Sequence, residues 1–464
     1  MKEKFLNWWR LDKDEEALTA DSVLAPLSWA QRRKALSLVS VSFGWGFCIT
    51  GMFVGSLVAT EPTGKDMLMS VIIGNTILFC IAFLVTYPAY RTGCCNSLLY
   101  KLVFGSKGWV LPCLIVIITG LGWQGSLTGM FPDVIVGAGN TGYAIVGLIG
   151  GALVLYSCYK GIRGLEFVGN LAVVFLCFAG IACIAYNLKC AGGLDGLMEL
   201  ANEKNKDNPD GLTMVGGVDA IVGSWAVGAM FAGDFTRFSK TGISVLAFIG
   251  VCFVIVQPFL QVLGITGAVV HGEHVFTGYA MQLGMVFFVV SMIAMVMAIW
   301  TTANSNMYFT QVQFSNITRR PMKVSAVIIG IIGAVAAAWG FFNYFGGFIN
   351  TIVSLVPPML GPIACDYFIC NKMKYDPAII DKVPPFNWGA LVAYVSGVVI
   401  PRFYVPESLP IAIWNIVISA VFYLAIFYIC KAAGKPIGYA SVADQGEGPY
   451  NPKARAIANG EYVS

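Results

Sequence analysis

The chain has 464 residues, 57% of them hydrophobic and 12% charged, with a mean hydropathy of +0.73. That balance excludes a soluble globular protein and indicates a polytopic membrane protein. The net charge of +4 sits mostly at the ends of apolar stretches, which argues against nucleic acid as a partner.

Residues 1–35 are polar and charged (WWRLDKDEE, then AQRRKA) and lack the apolar core of a cleavable signal, so a cytoplasmic segment followed by an internal signal-anchor is expected. Windows of about 19 residues then mark about twelve apolar spans. They fall near 36–60, 67–90, 109–131, 142–159, 165–188, 214–236, 241–270, 283–308, 323–341, 346–370, 387–404 and 408–430. Arg32, Arg33 and Lys34 precede span one. Arg91, Lys101 and Lys107 follow span two, Lys160 and Arg163 span four, Arg237 and Lys240 span six. Arg319, Arg320 and Lys323 follow span eight, Lys372, Lys374 and Lys382 span ten, Lys431 and Lys435 span twelve. With this count all of them share one side, and the opposite loops 132–141 and 342–345 carry no Lys or Arg. The positive-inside rule then places both termini in the cytoplasm, in an inner or plasma membrane. From Lys435 the chain is read as a polar, partly disordered tail. The 13 cysteines lie mostly within apolar runs, without CxxC or Cys/His spacing, and are read as small core residues. Cys94 and Cys95 fall near a cytoplasmic loop, where no disulfide is expected.

Span one carries SFGWGFCITGMFVGS (Ser42–Ser56) and span six SWAVGAMFAGDF (Ser224–Phe235), both with Met-Phe-x-Gly. Each is the first of five spans. Five is an odd number, so the second set would be inverted in the membrane. Gly-interrupted spans at matching places in two halves point to a transporter binding site. Span six is the richer in glycine, with Gly216, Gly217, Gly223, Gly228 and Gly233. Each glycine costs about 1 kcal/mol against alanine in a helix interior. Two readings follow: close helix packing through small residues, or a helix broken near Gly223–Gly228 with Trp225 presented to a ligand. The paired motif in span one favours the break.

In span three, Trp123 lies mid-membrane among glycines (GLGWQGSLTGMF, Gly120–Phe131). It reads either as a packed core Trp or as a plate for a flat ligand. Trp225 and Trp45 are further candidate plates; two facing tryptophans would hold a planar heterocycle that a few amides orient. Span eight crowds Thr301, Thr302, Asn304, Ser305 and Asn306 into two turns. These serve either interhelical hydrogen bonds or a lining for substrate and cation. Two adjacent threonine hydroxyls with nearby carbonyls form a neutral oxygen set that suits Na+. Gln124, Asn304, Asn306, Ser224 and Cys48, with Trp123 and Trp225, make up the candidate substrate set.

Ionisable residues deep in the spans are rare, which argues against a proton relay and against a charged substrate. Asp234 and Arg237 are expected to pair with each other or a neighbouring loop as a cytoplasmic clasp. Asp366 reads as structural, and His271 and His274 as solvated residues of an external loop. No P-loop, HExxH or nucleophile–base pair occurs, so neither an enzyme nor an ATP-driven pump is indicated.

Several stretches together are similar to the nucleobase–cation symporter-1 family, in its cytosine-permease-like branch. They are Gly122-Trp123, Asp234-Phe235-Thr236-Arg237-Phe238, Ile299-Trp300-Thr301-Thr302, Phe314-x-Asn316-Ile317-Thr318, Pro357-Pro358 and Asp366-Tyr367. The resemblance implies an all-α membrane protein with a LeuT-like five-plus-five inverted repeat and two further helices. The first repeat would cover 36–190, the second 191–370, spans eleven and twelve 371–431, and a cytoplasmic tail 432–464. It implies Na+ held by the carbonyls of Gly44, Phe47 and Ala298 and the hydroxyls of Thr301 and Thr302, with no other cofactor. It places a planar substrate between Trp123 and Trp225. Three positions depart from cytosine permeases: Gly120 stands for a glutamine, Ala303 for an asparagine and Val227 for a serine. The function implied is Na+-coupled uptake, by a monomer, of cytosine or a related pyrimidine or purine. A hydantoin- or allantoin-like ring or a thiamine-precursor pyrimidine is the alternative, and a ligand-binding receptor or channel the alternative of another class.

Overall fold

The structure is a computed structural model that describes residues 22–137, 140–206, 208–273, 275–344, 348, 351–352, 354–406 and 409–446. Among the described residues it is helical, with one isolated parallel bridge between Arg33 and Ser239. Span one is a broken pair, α1 (Ala35–Gly46) and α2 (Ile49–Val58). Spans two to five are α3 (Gly64–Thr92), α5 (Val110–Ile135), α6 (Tyr143–Cys158) and α7 (Ile162–Ala191), with the short α4 (Asn96–Phe104) after span two. A connecting helix, α8 (Leu194–Asn205), precedes span six, which is α9 (Met214–Phe231) and α10 (Gly233–Thr236). Span seven is α11 (Gly242–Gly250) and α12 (Gln257–His271), joined by a π turn. Span eight, α13 (Met285–Thr318), runs ten residues beyond its expected end. Then come α14 (Met322–Ala338), α15 (Leu360–Ala364), α16 (Trp388–Tyr404) and α17 (Ile411–Ala432). Span ten lies partly outside the described residues. By length and hydropathy, seven described helices can cross a membrane, or nine if two bent pairs count as one span each.

The helix starts are written in the sequence. Thr63, Thr213, Thr241 and Asn387 each accept a backbone N–H three residues on, capping α3, α9, α11 and α16. Gly93, Gly192 and Gly272 end α3, α7 and α12 in the left-handed conformation.

Span one bends by 55° at Phe47 and Cys48. There the Cys48 N–H turns to the Gly46 carbonyl (2.9 Å), which also accepts from Gln257 Nε2 (2.6 Å) on span seven. In span six the expected break near Gly223–Gly228 is not found. The helix is continuous to Phe231, and the interruption falls at Ala232. Its glycines serve close approach instead. A Cβ on Gly217 would lie 1.7 Å from Glu61 Oε1, one on Gly228 2.7 Å from the Trp225 ring, and one on Gly233 2.3 Å from Asn96 Oδ1. Gly223 alone of these faces open space within 4 Å. The contact of α2 with α12 is backbone to backbone: a Cβ on Gly55 would meet the Gln261 carbonyl at 2.2 Å, and one on Gly264 the Met52 carbonyl at 2.1 Å.

At the arginine-rich end, residues 22–33 lie across the helix ends. Arg237 is fully buried and donates from Nη1 to the Ser22 carbonyl, from Nε to the Asp234 carbonyl (3.2 Å) and from Nη2 to Tyr308 Oη (3.3 Å). The Asp234 carboxylate accepts from the Asn96 N–H (2.7 Å) and Gln313 Nε2 (2.9 Å). The two residues thus share one clasp, but they are not an ion pair with each other: Arg237 reaches the backbone carbonyl of Asp234, while Asn96 and Gln313 donate to its carboxylate. Asp366 is structural, with one oxygen taken by the Tyr375 hydroxyl and the other by Tyr423 on span twelve. Two expectations gain detail. His271 closes α12 and is partly exposed: its Nε2 lies 3.0 Å from Asn187 Oδ1 and its ring stacks on Tyr279 at 4.4 Å. His274 is outside the described residues. The tail from Lys435 begins docked, because the Tyr439 hydroxyl accepts from the Asp376 N–H (2.7 Å) and donates to the Lys374 carbonyl (3.1 Å); residues 447–464 are outside the described set.

Two outcomes follow from the packing. Gly264→Ala should cost about 1–3 kcal/mol, because backbone and not a flexible side chain opposes the new methyl. Gly223→Ala should be neutral or stabilising by up to about 1 kcal/mol; thermal unfolding of the two purified variants checks the contrast. Glu61, between α2 and α3, is buried against Gly217, and Ser70 Oγ donates to its Oε2 (3.0 Å). Burial pushes its carboxyl from 4.5 up to about 7; the Ser70 bond opposes this and Asp66 adds to it. A raised carboxyl binds its proton better folded than unfolded. Stability should therefore fall as pH rises from about 4.5 to about 7, and Glu61→Gln should flatten that segment of the melting-temperature profile.

Candidate functional site

The break in span one, the middle of spans three and six, and the polar turns of span eight meet around one cavity. Trp45, Cys48, Thr50, Trp123, Leu127, Ser224, Trp225, Val227, Gly228, Phe231, Thr302, Asn306 and Phe309 line it, and its cavity volume is about 40 Å³. None of these side chains is charged. Phe231 and Phe309 meet at 4.3 Å and form one wall. Trp225 is held edge-on by Trp45 (5.1 Å) and Phe253 (5.8 Å), and its Nε1 finds no acceptor among the described residues. Trp123 packs edge-on against Phe348 at 6.1 Å.

The polar groups are few and most are committed. Ser224 Oγ donates to the Ile221 carbonyl (2.8 Å), and Thr50 Oγ1 to Cys48 Sγ (3.1 Å). Asn306 Nδ2 donates to the Gly120 carbonyl and to Gln124 Oε1, both at 3.0 Å. Gln124 Nε2 donates in turn to Thr128 Oγ1 (3.1 Å).

An oxygen cluster adjoins the cavity where span one is broken. Thr302 Oγ1 donates to the Phe47 carbonyl (3.1 Å), and Thr301 Oγ1 to the carbonyls of Met297 and Ala298 (both 3.0 Å). Gly44 lies so close to span eight that a Cβ there would be 3.2 Å from Thr301. Because the Cys48 N–H turns to Gly46, the Gly44 carbonyl loses the donor it would have in an unbroken helix. Backbone carbonyls and hydroxyls are the neutral, hard oxygens that suit a small alkali cation. No group of three or more His, Cys, Asp or Glu side chains that could hold a metal occurs among the described residues.

Of the residues the sequence singled out for substrate, Trp123, Trp225, Ser224, Cys48 and Asn306 all line the cavity. Asn304 does not. Its Oδ1 accepts from Ser157 Oγ (2.7 Å) and Cys158 Sγ (2.6 Å) on span four. Two residues apart on a helix is a turn of about 200°, so Asn304 and Asn306 cannot face the same way. Gln124 is likewise outside the lining and reaches the cavity only through Asn306. Gly44, Phe47, Ala298, Thr301 and Thr302 are brought together as described. Thr50, Leu127, Phe231 and Phe309 were not anticipated. Leu127 lies one turn after Trp123 and Phe309 one turn after Asn306, so helical spacing from the singled-out residues could have found these two.

A family described as permeases for cytosine/purines, uracil, thiamine and allantoin matches residues 30–411. The cytosine permease of Escherichia coli (strain K12) is 27% identical over 373 residues, covering 80% of this chain and 87% of that protein. The hydantoin permease of Microbacterium maritypicum is 20% identical over 431 residues, covering 82% and 84%. Among solved structures, Mhp1, a nucleobase-cation-symport-1 family transporter in a closed conformation with bromovinylhydantoin bound, superposes with a TM-score of 0.74 at 17% identity, over 88% of this chain and 95% of that one. A Na+-coupled sialic acid symporter in a substrate-bound outward-open state gives 0.66 at 14% identity, over 87% and 91%. The fold is therefore that of these transporters, and the chain belongs to the nucleobase–cation symporter-1 family of permeases for cytosine/purines, uracil, thiamine and allantoin.

Proposed function

We propose that this permease takes up a neutral planar nucleobase, cytosine or a related pyrimidine or purine, by Na+ symport with alternating access. The observation that carries the proposal is Thr302, which lines the uncharged, tryptophan-bounded cavity and also bonds to the Phe47 carbonyl in the oxygen cluster. One side chain thereby belongs to both candidate sites, and occupancy of one bears on the geometry of the other. A cavity without charge suits a neutral ring, because a charged one would be desolvated without a partner. Trp123 and Trp225 supply faces and edges for such a ring. Na+ would be held by the carbonyls of Gly44, Phe47 and Ala298 and the hydroxyls of Thr301 and Thr302; each hydroxyl keeps lone pairs for a cation while it donates to a carbonyl.

The names of the relatives agree with this class: one is a cytosine permease, and one structural neighbour is Na+-coupled. A hydantoin-like ring is the second reading. It is favoured by the apolar walls of Leu127, Val227, Phe231 and Phe309, which suit a ring with an apolar substituent. The arginine-rich end with both termini is taken as cytoplasmic, and the working unit as a monomer in the cell membrane. The repeats proposed for spans one to five and six to ten would rock around the cavity.

Uptake of a labelled nucleobase into cells or proteoliposomes should follow the Na+ gradient. Replacing Na+ by choline at fixed pH should reduce it at least about tenfold; undiminished uptake rejects the coupling ion. Thr302→Ala should raise the Na+ concentration needed for half-maximal uptake while leaving the melting temperature within a few degrees. Trp225→Ala should weaken substrate binding by about one to two orders of magnitude, as loss of a buried aromatic contact does. Unchanged affinity in that variant would remove Trp225 from the site.

A further inference from the structure

We infer that Asn306 is a specificity-determining residue which presents a fixed acceptor to the cavity, so that the transported ring must donate an N–H to it. The inference rests on the proposed substrate site and adds the edge by which the ring is read. Asn306 is 4% exposed and lines the cavity. An amide has two N–H donors and one carbonyl acceptor. Both donors are engaged: Nδ2 lies 3.0 Å from the Gly120 carbonyl and 3.0 Å from Gln124 Oε1. The Gly120 carbonyl can only accept, so it settles which way the amide faces. Gln124 is fixed in the same sense, because its Nε2 donates to Thr128 Oγ1 and its Oε1 is left to accept. Among the described residues, Asn306 Oδ1 is the one oxygen of this chain of amides without a protein partner, and it belongs to a residue of the cavity wall.

The remaining lining agrees. The Ser224 and Thr302 hydroxyls spend their protons on the Ile221 and Phe47 carbonyls. The indole N–H of Trp225 is a buried donor without an acceptor. Among the described residues the wall therefore offers an oriented amide acceptor and an unsatisfied indole donor, and no charge; the hydroxyls, their protons spent, add only acceptors. A ring that satisfies both carries an N–H and an acceptor in its plane, as cyclic amides and cyclic ureas do. Gln124 is then a positioning residue that acts through Asn306, which accounts for an amide directly after Trp123 that does not itself line the cavity. Gly120 has a role here as well. A Cβ at that position would fall 2.0 Å from Thr310 Oγ1, so the absence of a side chain lets span three approach span eight closely enough for its carbonyl to hold Asn306.

The test measures binding to the purified full-length protein. Cytosine, uracil, hypoxanthine and hydantoin are each paired with their fully N-methylated counterpart, which keeps the ring and removes its N–H groups. In the unchanged protein each parent ring that binds should do so at least about tenfold more tightly than its methylated partner, the usual cost of leaving a buried acceptor unpaired. In Asn306→Leu this preference should collapse towards onefold while the methylated rings bind about as before. Any penalty from the bulk of the methyl groups persists in the variant, so it is separated from the lost hydrogen bond. Gln124→Glu keeps an acceptor for Nδ2 and should retain most of the preference, whereas Gln124→Leu should lose part of it. Asn306→Leu is read only if its melting temperature shows a folded protein; otherwise the Gln124 pair carries the test. If no ring binds the unchanged protein, the proposed substrate class fails. If rings bind but parent and methylated forms compete equally, or if the preference survives in Asn306→Leu and in Gln124→Leu, the inference about Asn306 is overturned and the substrate class stands.

Discussion

Everything at the centre of this molecule depends on how the backbone is satisfied where span one breaks. In a bilayer no water is available to an open carbonyl or N–H, so a broken helix persists only if protein groups replace the missing bonds. Here Cys48 turns its N–H back to Gly46, and Gln257 reaches across from span seven to the same carbonyl. Thr302 donates to the carbonyl of Phe47 from the other side. The break is thus held by spans seven and eight, and it could not be held by a helix standing alone. Close contact of span seven with the second half of span one, through Gly55 and Gly264, keeps that brace in reach.

Most of the helices and the residues of the cavity were legible in the sequence, for plain reasons. Long apolar stretches bounded by Thr, Asn and Gly caps can be little else than membrane helices. Tryptophans mid-span and a crowd of hydroxyls and amides mid-span stand out because lipid tolerates neither without cause. What escaped was direction. Asn304 and Asn306 look alike in sequence, yet one bonds to span four and the other faces the cavity. Their separation by about 200° around the helix was available, but which of the two faced inward was not. Glycine misled in a related way. Those of span six suggested a break, and the structure uses most of them to admit Glu61, a tryptophan ring and Asn96. A glycine records that something comes close, or that the backbone bends, without saying which.

Charge placement separated in the same fashion. Asp234 and Arg237 stand one turn apart, and a pair with each other or with a neighbouring loop is the expectation. The fold instead gives the carboxylate to Asn96 and Gln313, and gives the guanidinium to three oxygens drawn from Ser22, Asp234 and Tyr308. Partners more than 70 residues away in sequence cannot be read from local spacing.

The segment 22–33 has a consequence for how the two ends of the molecule differ. Its carbonyls and side chains are bonded to the ends of spans two, six and eight: Ser22 to Arg237, Val23 to Asn316, Arg32 to the carbonyls of Tyr90 and Ser239. Separating those ends means breaking these bonds together, and each group left behind is desolvated until water arrives. Contacts made in one arrangement only are what set the balance between two arrangements. In the alternating-access cycle proposed above, this stretch would be a weight on the scale between the two access states. The resting preference of such a cycle would then be written partly outside the helices.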